Sequence, residues 1–258
     1  MSLLEAASPL NDVGFANYDL AKLFTTDEDV RALRELSEDF ADLPADSYAT
    51  PHRYRRYSRG VIMPWEPETL TWTPGSQDTD FGRVTHYYQG YNNPEFPGVQ
   101  RRFPTLHKRT EANSLLRKLV LFDFHETRWS ELDAQLPLHV GVHMIKISVP
   151  RDGELGLSSP DVMHQDGEPY TFAHLIYRRN ARGGVNSIAT PAASGMRAEQ
   201  LADDALLARF ELREPLQSYG VVDQKVTHHV DAVSKGPGPE PGERAMVLID
   251  FTPMLPRI

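Results

Sequence analysis

The chain has no cysteine among its 258 residues. Disulfides, thiolate-bound zinc, iron–sulfur clusters and thiol nucleophiles are thereby excluded. Ten histidines remain, with aspartate and glutamate, as possible metal ligands. Long hydrophobic runs are also missing, since no stretch approaches the ~20 apolar residues that cross a bilayer. Residues 1–13 carry two acids and no basic residue, so they lack the positive flank of a secretory signal. These absences predict no membrane partner and a cytoplasmic location. Basic residues are in deficit, with 27 Lys and Arg against 36 Asp and Glu for a formal charge of −9. That balance suits a long phosphate backbone poorly and predicts no nucleic-acid partner. What is present is ordinary for a soluble globular chain, 40% hydrophobic and 24% charged, and long enough to bury a core without covalent staples.

The pattern of apolar residues predicts helices first and strands later. Thr25-Thr26 and the acids 27–29 suit a helix N-terminus. Val30, Leu33, Leu36, Phe40 and Leu43 follow at helical spacing, with Pro44 as the stop. A second helix is expected over residues 111–132, with Leu115, Leu116, Leu119, Val120 and Phe122 as its apolar face. Between them, residues 48–104 are rich in Tyr, Arg, Pro and Gly, with strand-like pieces at 54–63 and 83–89. From residue 138 the period changes. Strands are expected at 139–149 (central), 170–177, 185–190, 208–213, 216–222 and 245–251, interrupted by a helix at 197–207. The Pro/Gly run 236–242 is expected to be an exposed hairpin connection. Short strands at this spacing suggest a barrel or two-sheet jelly roll.

Two His-x-Asp pairs occur, His164-Gln165-Asp166 and His229-Val230-Asp231. On an extended chain, positions i and i+2 share a side, so either pair can face one cation. A site of two histidines and one carboxylate needs a third ligand from elsewhere, and no histidine follows 229. Only the first pair can be completed downstream, by His228 or His229. Such a facial triad leaves open positions on iron(II), as non-heme oxygenases require. Arg244 opens the last strand, and if Arg244, Met246 and Leu248 face the barrel, Ala245, Val247, Ile249 and Phe251 pack on the other side. An arginine inside a barrel is costly unless paired. A bound dicarboxylate such as 2-oxoglutarate would pair it, through two parallel hydrogen bonds.

Several ordered landmarks carry a family resemblance. They are residues 164–167 (His-Gln-Asp-Gly), 178–184 (Arg-Arg-Asn-Ala-Arg-Gly-Gly), Glu214-Pro215-Leu216, Asp223 through His228-His229-Val230, and residues 244–251. Over about residues 138–252, and including the Asn113-containing helix, the chain resembles the iron(II)/2-oxoglutarate-dependent dioxygenases that include bacterial isoleucine hydroxylases. The resemblance implies a mainly β fold with flanking helices (α+β), built on a double-stranded β-helix of jelly-roll or cupin-like form. It also implies one dioxygenase domain over 1–258, with residues 1–137 packing on a core at 138–252. His164, Asp166 and His228 would bind iron(II), with 2-oxoglutarate on Arg244 and O2 as the remaining co-substrate. The pattern Asp-x-x-x-x-His-x-Val, matched by Asp223, His228 and Val230, selects His228 over His229. The presence of Asp166 favours hydroxylation over halogenation, for which related enzymes give up the carboxylate. The implied substrate is a small molecule, a free L-amino acid.

Other residues carry both a structural and a functional reading. His139 and His143 share a strand face and suit a core role, with His143 a candidate substrate contact. Glu168 could meet a substrate amine or be an exposed loop acid. The cluster Arg101, Arg102, His107, Lys108 and Arg109 reads as solvated surface, with a substrate-carboxylate anchor as its alternative. Tyr87, Tyr88 and Tyr91 read as packing. Residues 192–205 are a candidate substrate lid. The competing functions are a non-oxygenase, cupin-like metal-binding isomerase or sensor, and a dioxygenase of carrier- or peptide-bound residues.

Overall fold

A computed structural model describes residues 9–89, 97–158 and 160–255. Residues 1–8 and 90–91, on which the leader and part of the tyrosine-cluster readings fall, lie outside the described residues. The scaffold is a curled antiparallel sheet of seven strands. In spatial order these are β1 (Phe15–Asp19), β13 (Gln217–Val222), β9 (Tyr170–Arg179), β16 (Gly242–Pro253), β7 (Leu138–Val149), β2 (Arg53–Met63) and β3 (Glu66–Trp72). A smaller sheet of β12 (Leu206–Glu211), β11 (Val185–Ala189) and β14 (Thr227–Val230) completes the jelly roll. β4 (Ser76–Asp78), β5 (Gly82–Tyr87) and β6 (Arg101–Pro104) form a separate antiparallel sheet. Another small sheet joins β10 (Ala181–Gly183), β15 (Val233–Lys235) and β8 (Leu155–Gly156).

Period-two alternation along the long strands sorts residues between two faces. Val140, Val142 and Met144 of β7, Phe172 and Ile176 of β9, and Ala245, Val247, Ile249 and Phe251 of β16 enter the main core. Of the helices α1 (Leu10–Val13), α2 (Asp27–Glu38), α3 (Lys108–Glu111) and α4 (Ser114–Glu126), α2 and α4 cover that face. In α2 (Asp27–Glu38), Thr26 caps the N-terminus in a reciprocal box with Asp29, and Ala32 and Leu36 are buried. In α4 (Ser114–Glu126), the Asn113 side chain accepts from Leu116 N–H, and Leu115, Leu116, Leu119, Val120 and Phe124 pack inward. Arg244, Met246, Leu248 and Asp250 turn the other way, toward the interior of the roll. Gly141 lies opposite Asp250, where a Cβ would stand 2.2 Å from the Asp250 carboxylate. The absent side chain leaves room for that carboxylate.

Several element boundaries differ from expectation. The 139–149 strand is interior to the sheet as expected, between β16 and β2. The second helix is shorter than 111–132, starting after the Asn113 cap and ending at Glu126. The first helix ends at Glu38, well ahead of Pro44. No helix spans 197–207. That stretch holds one 3-10 turn at Ala198–Gln200, and its end already belongs to β12, paired with β11. Sheet pairing overrides helical propensity there. The 236–242 run is no hairpin, because β15 pairs with β10 and β8 while β16 pairs with β7 and β9. It is a crossover held by Asn180, whose amide donates to the Gly238 and Glu240 carbonyls. Among the described residues, no helix is long and apolar enough to cross a membrane.

Candidate metal centre and adjoining cavities

Two strand-like segments bring distant residues together at the open end of the smaller sheet. His164 forms an isolated antiparallel bridge with His228, each backbone N–H donating to the other's carbonyl at 3.1 and 3.0 Å. The bridge places the imidazoles side by side, with ring centroids 4.4 Å apart. Asp166, two residues along the same segment, reaches the same point. Its carboxylate lies 3.7 Å from His164 Nε2 and 3.2 Å from His228 Nε2. One ligand atom from each of the three residues falls within 4.8 Å of the others. Gly167, at φ 87°, then turns the chain away through a conformation that favours glycine.

The local hydrogen bonds prepare these groups as ligands. His164 Nδ1–H donates to the Val162 carbonyl at 2.8 Å, leaving the Nε2 lone pair free to point at the shared space. Burial, reinforced by His228, pushes His164 down to about 4, so its imidazole is neutral at neutral pH. Burial opposes ionisation of Asp166 but is outweighed by His228 and His164, which hold its carboxyl well below the usual range. Burial also opposes protonation of His228, and Asp166 overcomes it to raise that group. Asp223 fixes the turn from behind. Its carboxylate accepts Asp166 N–H at 2.7 Å and Gly167 N–H at 2.9 Å. Two imidazoles and a carboxylate with buried, oriented donor atoms fit a divalent first-row metal such as iron(II).

His229, the other candidate, is the cross-strand neighbour of Ser187 and faces away from this point. Its Nε2 lies 3.3 Å from Asp161 and its Nδ1 3.5 Å from Asp231. The alternation of β14 separates the two adjacent histidines. Residues 192–205 do not form a separate lid. Ala193, Ala198 and Leu201 pack on Met163, whose N–H and C=O bond to the backbone at 196 and 195. They brace the segment that carries His164.

Two cavities open from the triad. The first is lined by His164, Asp166 and His228 and, farther in, by Tyr219, Arg244, Met246, Ile145 and Ile147. Arg244 is buried, and its Nε has no hydrogen-bond partner among the described residues. Burial lowers this guanidinium to about 10, which leaves it charged at neutral pH. A guanidinium facing a cavity beside the triad suits a carboxylate ligand.

The second cavity shares Arg53, Ile145, Asp166, Thr171 and Leu248 with the first and is strongly polar. His143 and Glu168, both marked in the sequence, line it. Arg55, Tyr87, Gln89, Arg101 and Asp250 join them. Glu168 is no exposed loop acid, being buried with Oε1 accepting from Tyr87 O–H at 2.9 Å. Burial, then Asp250 and Asp166, push its carboxyl well above the ordinary value. Arg55 donates to His143 Nδ1 at 2.5 Å, so Nε2 carries the ring hydrogen and donates to Asp250 at 2.9 Å. His143 also stacks on Tyr57, with ring centroids 4.2 Å apart.

The basic cluster divides. Arg102, His107, Lys108 and Arg109 keep their side chains at the surface and each pairs with an acid, whereas Arg101 is buried against the Tyr87 ring and donates to Gln89. Its solvated-surface reading fails at Arg101. Sequence reasoning missed Arg55 and Asp250 as cavity residues. Asp250 was signalled by its even position on β16, in register with Arg244. Arg55 sits in an Arg-rich strand whose inward face only pairing with β7 reveals.

Comparison with known proteins follows the same lines. A family profile described as 2OG-Fe dioxygenase matches residues 37–250. An L-isoleucine-4-hydroxylase of Bacillus thuringiensis is 26% identical over 231 residues, covering 89% of this chain and 87% of the relative. A 3(1)-hydroxy-L-isoleucine 4-dioxygenase of Pantoea ananatis is 26% identical over 238 residues, covering 90% of this chain and 85% of the relative. The crystal structure of IDO from Bacillus thuringiensis superposes with a TM-score of 0.72 at 20% identity, covering 99% of this chain and 100% of the other. This last likeness establishes the shared fold.

Proposed function

Because this chain belongs to the 2OG-Fe dioxygenase family, we propose that it hydroxylates an unactivated carbon of a free aliphatic L-amino acid. Iron(II), 2-oxoglutarate and O2 are the cofactor and co-substrates of that family, and family membership sets aside the cupin-like isomerase and sensor. The amino-acid substrate is supported by two curated relatives, which act on isoleucine or hydroxyisoleucine by name and align over most of both chains.

The observation that carries the assignment is the convergence of His164, Asp166 and His228 on one point next to a buried, unsatisfied Arg244. These three side chains would hold iron(II), with Arg244 seating the far carboxylate of 2-oxoglutarate. With both bound, the centre would support an O2-dependent oxidation in which one oxygen atom of O2 converts C–H to C–OH and the other enters succinate as 2-oxoglutarate loses CO2. The protein contributes position and exclusion of water. Asp223 holds the Asp166 turn, Val162 orients His164, and Ile145, Met246 and Leu248 give the cavity apolar walls. The reading of the chain as one catalytic domain is supported by β1, β2 and β3 belonging to the same sheet as β16.

The test supplies iron(II), 2-oxoglutarate and O2 with a panel of free aliphatic L-amino acids. Succinate release is measured along with product mass. The expected result is amino-acid-dependent succinate with a singly oxygenated product. Succinate release indifferent to every free amino acid, but stimulated by carrier-bound or N-acylated ones, would overturn the substrate assignment.

A further inference from the structure

The second cavity contains a buried carboxyl, Glu168, and a buried guanidinium, Arg55, that do not pair with each other. Among the described residues, Glu168 accepts hydrogen bonds only from neutral donors, the Tyr87 hydroxyl and the Gln89 amide. Among the described residues, no cation lies within 4.0 Å of it. Arg55 is buried across the cavity, and no carboxylate of the described residues lies within 4.0 Å of it. It is held instead by His143 at 2.5 Å and by the Phe103 ring, 4.1 Å from its Cζ. Its Nε has no hydrogen-bond partner among the described residues.

A buried guanidinium and a buried carboxyl in one cavity ordinarily pair, because leaving either without a partner carries a desolvation cost. Here Tyr87 stands between the two. Its ring lies 5.2 Å from the Arg55 guanidinium and its hydroxyl bonds Glu168. This prop keeps guanidinium and carboxylate from collapsing together, so each presents an unmet demand to the same space. Asp166 lines that space as well, which puts it beside the proposed metal.

We infer that this pair is the head-group clamp of the enzyme, Glu168 taking the substrate α-ammonium and Arg55 its α-carboxylate. The inference rests on the amino-acid reading above and sharpens it. A zwitterion satisfies both charges at once, whereas an N-acyl amino acid, an amino amide or a 2-hydroxy acid leaves one unmet. The clamp thus selects free α-amino acids and keeps the head group on the Arg55 side. The side chain then runs past Thr171 and Leu248 toward the triad. Specificity for the head is electrostatic and comes from this cavity; specificity along the side chain comes from apolar walls.

The test uses the free aliphatic L-amino acid that the wild-type enzyme oxidises best, with its 2-hydroxy-acid and α-carboxamide analogues of the same carbon skeleton. The readout is the ratio of kcat/KM values between analogues, in which any inactive fraction of a variant cancels. Wild-type enzyme should prefer the amino acid over each analogue by about 100-fold or more, as expected where a site's buried polar groups lose their partner. Glu168→Gln should shrink the preference over the hydroxy acid to a few-fold, leaving the preference over the amide. Arg55→Lys should reduce the preference over the amide without changing that over the hydroxy acid. Wild-type indifference to the ammonium, or an amino-to-hydroxy ratio untouched by Glu168→Gln, overturns the clamp while leaving the amino-acid reading standing. Failure of every free amino acid as a substrate overturns the earlier reading, and the clamp with it.

Discussion

The two faces of β16 divide stability from chemistry within a single strand. Ala245, Val247, Ile249 and Phe251 are buried against the helices in the main core. Where that face carries polarity, most of it is matched within the fold, although Asp123 Oδ1 has no hydrogen-bond partner among the described residues. His174 is fully buried, with Nε2 2.8 Å from Asp123 and Nδ1 2.8 Å from Ser218. This Ser-His-Asp constellation is sealed beneath α4, and its role is to tie helix to sheet. The inner face is built otherwise. Arg55 Nε, His228 Nδ1, Arg244 Nε and Asp250 Oδ1 are buried without hydrogen-bond partners among the described residues. Each unmet polar atom costs on the order of 1–3 kcal/mol, which the outer core must offset. Burial also raises the Asp250 carboxyl to about 7 and the Asp223 carboxyl to about 6. Groups left wanting partners are what a binding site offers to ligands.

Substitutions on the two faces should therefore fail in different ways. The largest effect is expected at the triad, where Asp166→Ala or His164→Ala abolishes succinate formation while the urea unfolding midpoint hardly moves. Retained activity in either variant removes the iron assignment. On the opposite face, Phe251→Ala should cost about 3–5 kcal/mol of stability by denaturant titration, with kcat per folded molecule preserved. A selective loss of kcat there would break the division between faces. Arg244→Ala should raise the 2-oxoglutarate concentration needed for half-maximal rate by about 10–100-fold, the worth of a charge-assisted hydrogen bond; an unchanged requirement moves the anchor to another residue. Asp223→Asn has room for the same shape but loses one acceptor for two backbone N–H groups. It should weaken iron(II) binding about 10-fold, the low end for groups that orient a ligand, as read by chelator competition.

The site was more legible than the segments around it. His164 and Asp166 stand two apart on extended chain, and the order of landmarks pointed to His228 and Arg244, all of which the fold brings to one cavity. The outward set of β16 also followed the expected alternation. The helix expected over 197–207 went wrong because its apolar residues were free to serve either period, and pairing of β12 with β11 chose the strand. Arg101 was indistinguishable from its neighbours in a basic run, although it packs inside while the others stay at the surface, paired with acids.

Local rules reach as far as a residue's own strand or turn. They established from the chain alone its mainly β character, the side on which each long strand is apolar, and a pair of ligands within one short motif. Which guanidinium meets which cavity depends on strands more than a hundred residues apart coming into register, as Asp250 does with Gly141. That register is set by the packing of the entire sheet, so the Arg55 guanidinium and the Glu168 carboxyl facing one cavity became visible only once β2, β7 and the turn after Asp166 were assembled around Tyr87.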